Sequence, residues 1–180
     1  MNRKDFLLNT FIFSLTLLNT PKKISALGTQ SHPKNGNLAP DFQGIAIGKN
    51  KNEIISLNSY RGSWVVLYFY PKDFTSGCTL EARGFKKNNI SFNKMNTRII
   101  GISADSKEDH ESFCEKEDLK YNLVSDKDGT ISKTYGSWND PYSSRNTFLI
   151  NPNGVIKARW IGVKPINHAQ EVLTELTKLQ

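Results

Sequence analysis

The chain has 180 residues, with 24 Lys and Arg against 17 Asp and Glu and a net charge of +7 at pH 7. That length suits one domain with a sizeable core and leaves no room for two. The lysines are scattered and no nucleic-acid motif accompanies them, so the charge reads as a solvated surface and a nucleic-acid partner is not expected. His32, His110 and His168 are too dispersed to form a metal site, and no metal or other cofactor is expected.

Asn2-Arg-Lys4 is basic, and Phe6 to Leu18 is apolar apart from Asn9, Thr10, Ser14 and Thr16. This run is too short to span a bilayer, which needs roughly 17–25 residues. With small residues at Ser25, Ala26 and Gly28, residues 1–28 read as a secretory signal peptide cleaved after Ala26 or Gly28. Arg3-Lys4-Asp5-Phe6-Leu7 also resembles a twin-arginine signal with one Arg replaced. Export to a periplasm or thylakoid lumen follows, with no stable membrane insertion after cleavage. An uncleaved leader would instead leave the chain cytoplasmic or membrane-associated. Residues 29–37 read as a flexible linker, and residues 38–180 as the folded domain.

Leu38 to Phe42 is predicted to be extended. Ile45 and Ile47, then Glu53 to Ser56, read as a hairpin around a turn at residues 48–52. Trp64-Val-Val-Leu-Tyr-Phe-Tyr70 has no polar break, which suits a strand buried on both faces. Pro71 ends it. A short loop, Lys72 to Gly77, leads to Cys78 and a helix running to about Phe92. Ala82, Phe85 and Ile90 are expected inward on that helix, and Gly84 weakens it. Arg98 to Ser103 is the next core strand. Ser106 to Asp109 resembles a capping box that opens a helix carrying Phe113 and Cys114. A short strand at Tyr121–Val124 and a short helix at Ile131–Tyr135 follow. Thr147–Ile150 and Val155–Trp160 read as strands joined by an Asn153-Gly154 hairpin turn. Asn167 caps the final helix, with Val172, Leu173, Leu176 and Leu179 on one face. Alternating strands and helices closed by a hairpin predict an α/β chain. Its central mixed sheet is flanked by helices and extended by the N-terminal hairpin, the pattern of a thioredoxin-like fold.

The placement of Cys78 has chemical consequences. The first turn of a helix has unpaired N–H groups and the positive dipole end, and both favour a thiolate. A cysteine there can fall from a pKa of ~8.5 to roughly 3.5–7.5 and become a nucleophile. Buried packing is the ordinary role of a lone cysteine. Here Pro71, Thr75 and Cys78 form Pro-x-x-x-Thr-x-x-Cys directly after a core strand.

Tyr68-Phe-Tyr-Pro-Lys-Asp-Phe-Thr-Ser-Gly-Cys-Thr-Leu-Glu-Ala82 resembles the active-site segment of peroxiredoxins, most closely the peroxiredoxin Q (bacterioferritin comigratory protein) branch. Ala39-Pro-Asp-Phe42 resembles the family's N-terminal motif, and Arg145 to Gly154 the segment with its active-site arginine. The resemblance implies a thioredoxin fold and a thiol-dependent peroxidase. Cys78 would attack a hydrogen peroxide or organic hydroperoxide and become a sulfenic acid. Thr75 would hydrogen-bond the thiolate or the peroxide. Pro71 would shield the site, and Arg145 would hold the charge. A thioredoxin-like protein would be the reductant, and the chain would act as a monomer. Glu81 is a candidate arginine partner or a purely structural acid, and Trp138 and Tyr142 could wall the pocket. Ser76 stands where the branch usually has proline.

Many members of the branch carry a second cysteine where Arg83 stands here, so a bond within the first helix is excluded. Others place it on the next helix, as Cys114 is placed, which implies a resolving thiol. A buried apolar cysteine and a permanent Cys78–Cys114 disulfide are the alternatives. If Cys114 resolves, the first turn around Cys78 is expected to unwind, from a reduced state in which the sulfurs are well separated. Two other functions remain open on sequence: a thiol–disulfide oxidoreductase, which would need a second cysteine close to Cys78, and a non-enzymatic binding module.

Overall fold

The structure is a computed structural model, described here for residues 31–48 and 53–180. The expected leader and the tip of the first hairpin lie outside these residues. Among the described residues, no helix is long and apolar enough to cross a membrane.

The elements in chain order are β1 (Gln43–Ile47), β2 (Glu53–Ser56), β3 (Trp64–Phe69), α1 (Ser76–Lys94), β4 (Thr97–Ser103), α2 (Lys107–Glu117), β5 (Asn122–Ser125), α3 (Thr130–Thr134), β6 (Trp138–Asn139), β7 (Tyr142–Ser143), β8 (Asn146–Ile150), β9 (Ile156–Ile161) and α4 (His168–Leu179). Seven of the described strands form one sheet in the order β2-β1-β5-β4-β3-β8-β9. β3, β4 and β5 run parallel, because a helix connects each to the next. The β1–β2 hairpin and β8–β9 pair antiparallel at the flanks, so the sheet is mixed, as expected.

β3 is buried along its whole length, as a central strand with no polar break requires. Its side chains alternate between two cores. Val66 and Tyr68 join Phe85 and Phe92 of α1, Phe113 of α2, and Val172 and Leu176 of α4. Val65, Leu67 and Phe69 face the other side with Ile131, Tyr135, Phe148 and Ile156. On the chain side of the domain, Gly36 donates to Ile156 O at 2.8 Å, and Arg159 Nη1 donates to His32 O and Pro33 O at 3.2 and 3.0 Å. Residues 31–37, expected to be flexible, are thus tied to β9 at these points.

The bounds of α1 are close to those expected, since it begins two residues before Cys78 and ends two beyond Phe92. Several local expectations are corrected. Ile90 is 71% exposed, because it lies about 140° around the helix from Phe85 at ~100° per residue. Gly84 does not interrupt α1. A Cβ there would stand 3.4 Å from Ala169 Cβ, so the missing side chain lets α4 pack close. Asn167 occupies the cap position of α4 in the left-handed region, but its side chain makes no cap bond. Its carbonyl instead accepts from Gln170 and Glu171 N–H, both at 3.0 Å. The Ser106–Asp109 capping box forms as predicted.

Candidate active site

The site is assembled where β3 and β8 run side by side. Their antiparallel register pairs Phe69 with Asn146. Arg145, one residue before β8, therefore emerges where β3 hands over to the loop before α1. Its backbone is pinned there: Val163 N–H donates to Arg145 O at 2.9 Å, and Asn146 Oδ1 accepts from Gly162 N–H at 3.0 Å.

Cys78 is the third residue of α1, in the first turn and 2% exposed. Arg145 Nη2 donates to Cys78 Sγ at 3.3 Å, while its Nη1 bonds Glu81 Oε2. One guanidinium thus bridges the sulfur and a carboxylate one helical turn further on. Gly77 makes room for it, since a Cβ there would lie 3.4 Å from Arg145 Nη2 and 3.6 Å from Pro165 Cγ.

The charges in this corner constrain one another. Burial pushes the Glu81 carboxyl up from 4.5 to about 7, against the pull of Arg145. Burial wins because only one oxygen is engaged, and Oε1 has no hydrogen-bond partner among the described residues. Burial opposes the Arg145 charge, but Glu81 and Cys78 together hold its pKa above the ordinary value. Behind Arg145, His168 Nε2 meets Thr147 Oγ1 at 2.9 Å. Burial lowers the His168 imidazole to about 4, with Arg145 adding to the shift and Glu171 opposing it.

The other expected site residues are placed less directly. Pro71 is half-buried at the exit of β3. The Thr75 hydroxyl donates to Lys72 O at 2.9 Å, folding the loop, rather than to Cys78. Trp138 does not wall Cys78. It packs over Gly129 and receives Lys133 Nζ 5.3 Å above its ring. Tyr142, on the neighbouring strand opposite Asn139, shares a surface recess with Lys72 and Asp105. Cys114 is 8% exposed on α2. No disulfide joins the two cysteines. A Cβ at Gly48, just after β1, would lie 3.5 Å from Cys114 Sγ. The two sulfurs thus neighbour residues flanking β1 and β8, which stand four places apart in the sheet.

Sequence reasoning missed a buried network beside the site. Asp73 and His110 are 2% and 0% exposed, and His110 Nδ1 meets Asp73 Oδ2 at 2.6 Å. Tyr70 OH donates to Asp73 Oδ1 at 2.8 Å. Asp105 Oδ2 accepts from Asp73 N–H at 2.9 Å and from Ser103 Oγ at 2.7 Å. Asp73, Asp105 and His110 come within 4.8 Å of one another. Protein donors already occupy these oxygens, so the cluster is built as a hydrogen-bond network. The available signal was weak, because the pairing spans 37 positions with no motif or period to reveal it.

Residues 35–159 match the model of the AhpC/TSA family. The chain belongs to that family. Within it, peroxiredoxins of the Bcp and peroxiredoxin Q kind are among the proteins that it resembles. Peroxiredoxin Bcp of Bacillus subtilis is 36% identical over 149 residues, which cover 78% of this chain and 93% of that one. A mitochondrial thioredoxin-dependent peroxide reductase of Drosophila melanogaster is also 36% identical over 149 residues, covering 78% of this chain and 64% of that one. The crystal structure of a cysteine-to-serine variant of Xylella fastidiosa PrxQ superposes with a TM-score of 0.77 at 32% identity, covering 83% of this chain and 98% of that one. The fold is accordingly the thioredoxin-like fold of peroxiredoxins, and the chain is a thiol peroxidase of this family.

Proposed function

We propose that this peroxiredoxin reduces hydrogen peroxide and organic hydroperoxides through Cys78, with Cys114 as the resolving thiol. The observation that carries the assignment is the Arg145 guanidinium at 3.3 Å from Cys78 Sγ in the first turn of α1. The Cys78 sulfur attacks one peroxide oxygen and the O–O bond breaks. The departing oxygen takes a proton and leaves as water or an alcohol, and Cys78 becomes a sulfenic acid. Arg145 is aimed at the reacting sulfur, so it can meet negative charge as it develops on the peroxide oxygens without reorganising. Thr75 acts through the loop it folds, and Pro71 limits water access on the strand side.

The Cys114 thiol then condenses with the sulfenic acid. An S–S bond forms, the S–O bond breaks and water leaves. A dithiol protein of the thioredoxin kind, as the name of the Drosophila relative suggests, returns both cysteines to thiols by exchange and is itself oxidised. Since both sulfurs are in one chain, a monomer suffices for the cycle.

We assign the basic and apolar residues 1–28 to export, with cleavage after Ala26 or Gly28; N-terminal sequencing of protein recovered from cell fractions tests this. For the chemistry, one equivalent of peroxide is added to reduced protein, followed by intact mass and non-reducing peptide mapping. A Cys78–Cys114 bond is expected. Cys78→Ser abolishes peroxide consumption, whereas Cys114→Ser retains it under excess small thiol. Loss of only Cys114 reactivity, with Cys78 unmodified by peroxide, would overturn the assignment.

A further inference from the structure

The loop that delivers Cys78 is fastened to the helix that carries Cys114. Asp73, five positions before Cys78, holds His110 Nδ1 at 2.6 Å, and His110 stands one turn before Cys114 on α2. The next loop residue, Phe74, meets Phe113 edge-on with ring centroids 5.2 Å apart, and Lys116 Nζ sits 5.3 Å above the Phe74 ring. Phe74 also has a backbone φ of 62°, a strained value for an aromatic residue. Within the helices, Arg83 of α1 grips Glu117 of α2 through two bonds, Nε–Oε2 at 2.6 Å and Nη2–Oε1 at 3.1 Å. All of these contacts join the Cys78 side to the Cys114 side.

A disulfide needs Cα atoms about 4.4–6.8 Å apart and side chains that point at each other. Here Cys78 faces Arg145, while Cys114 lies beside Gly48. The contacts at Asp73 and Phe74 join the loop before Cys78 to the helix of Cys114 in that arrangement. We propose that Asp73–His110 and Phe74–Phe113 form a latch that keeps the two cysteine-bearing segments in register, and that its opening sets the rate at which Cys114 condenses with oxidised Cys78. The inference rests on Cys114 being the resolving thiol. His110 and Phe74 are positioning residues, since they act through the contacts between the loop before α1 and α2. In the gated step the Cys78 S–O bond breaks, the S–S bond to Cys114 forms and water departs, so no further oxidant or reductant is required.

The test separates the two steps in a single turnover. Reduced full-length protein is mixed with hydrogen peroxide, quenched with acid at intervals and alkylated. Mass spectrometry then counts residual thiol, Cys78 sulfenic acid and Cys78–Cys114 disulfide. His110→Leu breaks the buried arm. Phe74→Ala breaks the half-exposed arm and keeps the test valid if the buried substitution does not fold. Each is expected to speed condensation by about two- to tenfold, the scale of one such contact, while peroxide consumption by Cys78 stays within about twofold of wild type. His110→Asn, whose side-chain amide places a donor where Nδ1 stands, is expected to bring the rate back. Lys107→Ala removes an ion pair internal to α2, to Glu111 at 3.7 Å, and is expected to leave both steps alone. Unchanged condensation in both His110→Leu and Phe74→Ala, alongside a wild-type disulfide, overturns the latch and leaves the peroxidase cycle standing. A fall in peroxide attack with no gain in condensation also overturns it, and assigns the network to holding Cys78. Absence of any Cys78–Cys114 bond in the wild type removes the resolving role itself, and the latch with it.

Discussion

Arg145 and Cys78 were legible together because each lies in a short segment whose residue types carry the resemblance. Their joint geometry was not, because a strand register brings together two residues 67 positions apart in the chain. Arg145→Lys keeps the charge but loses the fork that spans sulfur and carboxylate. It is expected to cut peroxidase kcat/KM by about 10²–10³, the cost of removing one preorganised donor, as read by steady-state peroxide consumption. Glu81 was half legible: its spacing allowed an arginine partner, but nothing in the sequence revealed an orphaned oxygen. Because burial raises its folded pKa from 4.5 to about 7, folding favours its protonated form. That contribution is complete below pH 4.5 and is lost as pH rises through about 7. Glu81→Gln is always neutral. Its stability relative to wild type should therefore improve by ~3 kcal/mol across that window, whatever the starting difference. Urea unfolding at a series of pH values measures it.

At the scale of elements, β3 was the most legible part of the chain. An unbroken apolar run bounded by Gly62 and Pro71 has few other destinations, and it became the strand between β4 and β8. Leu67 is fully buried there on the face opposite α1. Leu67→Ala should cost about 2–5 kcal/mol in denaturant unfolding through lost burial and a cavity. The errors fell where tertiary packing overrode local preference. Gly84 lowers helix propensity, but α4 uses the space it leaves. Trp138 and Tyr142 looked like loop aromatics, whereas two residues on each side are enough for a small antiparallel pair, β6–β7. The ties to α2 from Arg83 of α1 and from Asp73 of the loop before it were invisible, because a sequence segment shows its own periodicity and not its neighbour's partners.

For the whole molecule, the mixed sheet followed from alternating strands and helices ending in a hairpin, and the structure realises that order. Less visible was the convergence of α1, β8 and α4 on one guanidinium. It sets two opposed titrations against each other. His168 is lowered to about 4 by burial, so its neutral form is favoured by folding, and that stability is present above pH 6.5 and lost as pH falls through about 4. Glu81 loses its contribution in the opposite direction, so the two slopes nearly cancel between pH 4.5 and 6.5. His168→Gln should unmask a stability that declines as pH rises through this interval, and Glu81→Gln one that climbs. Thermal unfolding of the wild type and both variants, compared as differences, checks the sign of each.

The Phe69–Asn146 register has a consequence for biosynthesis. A ribosome releases Cys78 long before Arg145, and the guanidinium arrives only when the β8–β9 hairpin zips onto strands already made. Until then the nascent chain displays a sulfur without its electrostatic partner. Peroxide reactivity is therefore a property gained late in synthesis, and a polypeptide truncated before residue 145 should meet oxidant as an ordinary thiol would.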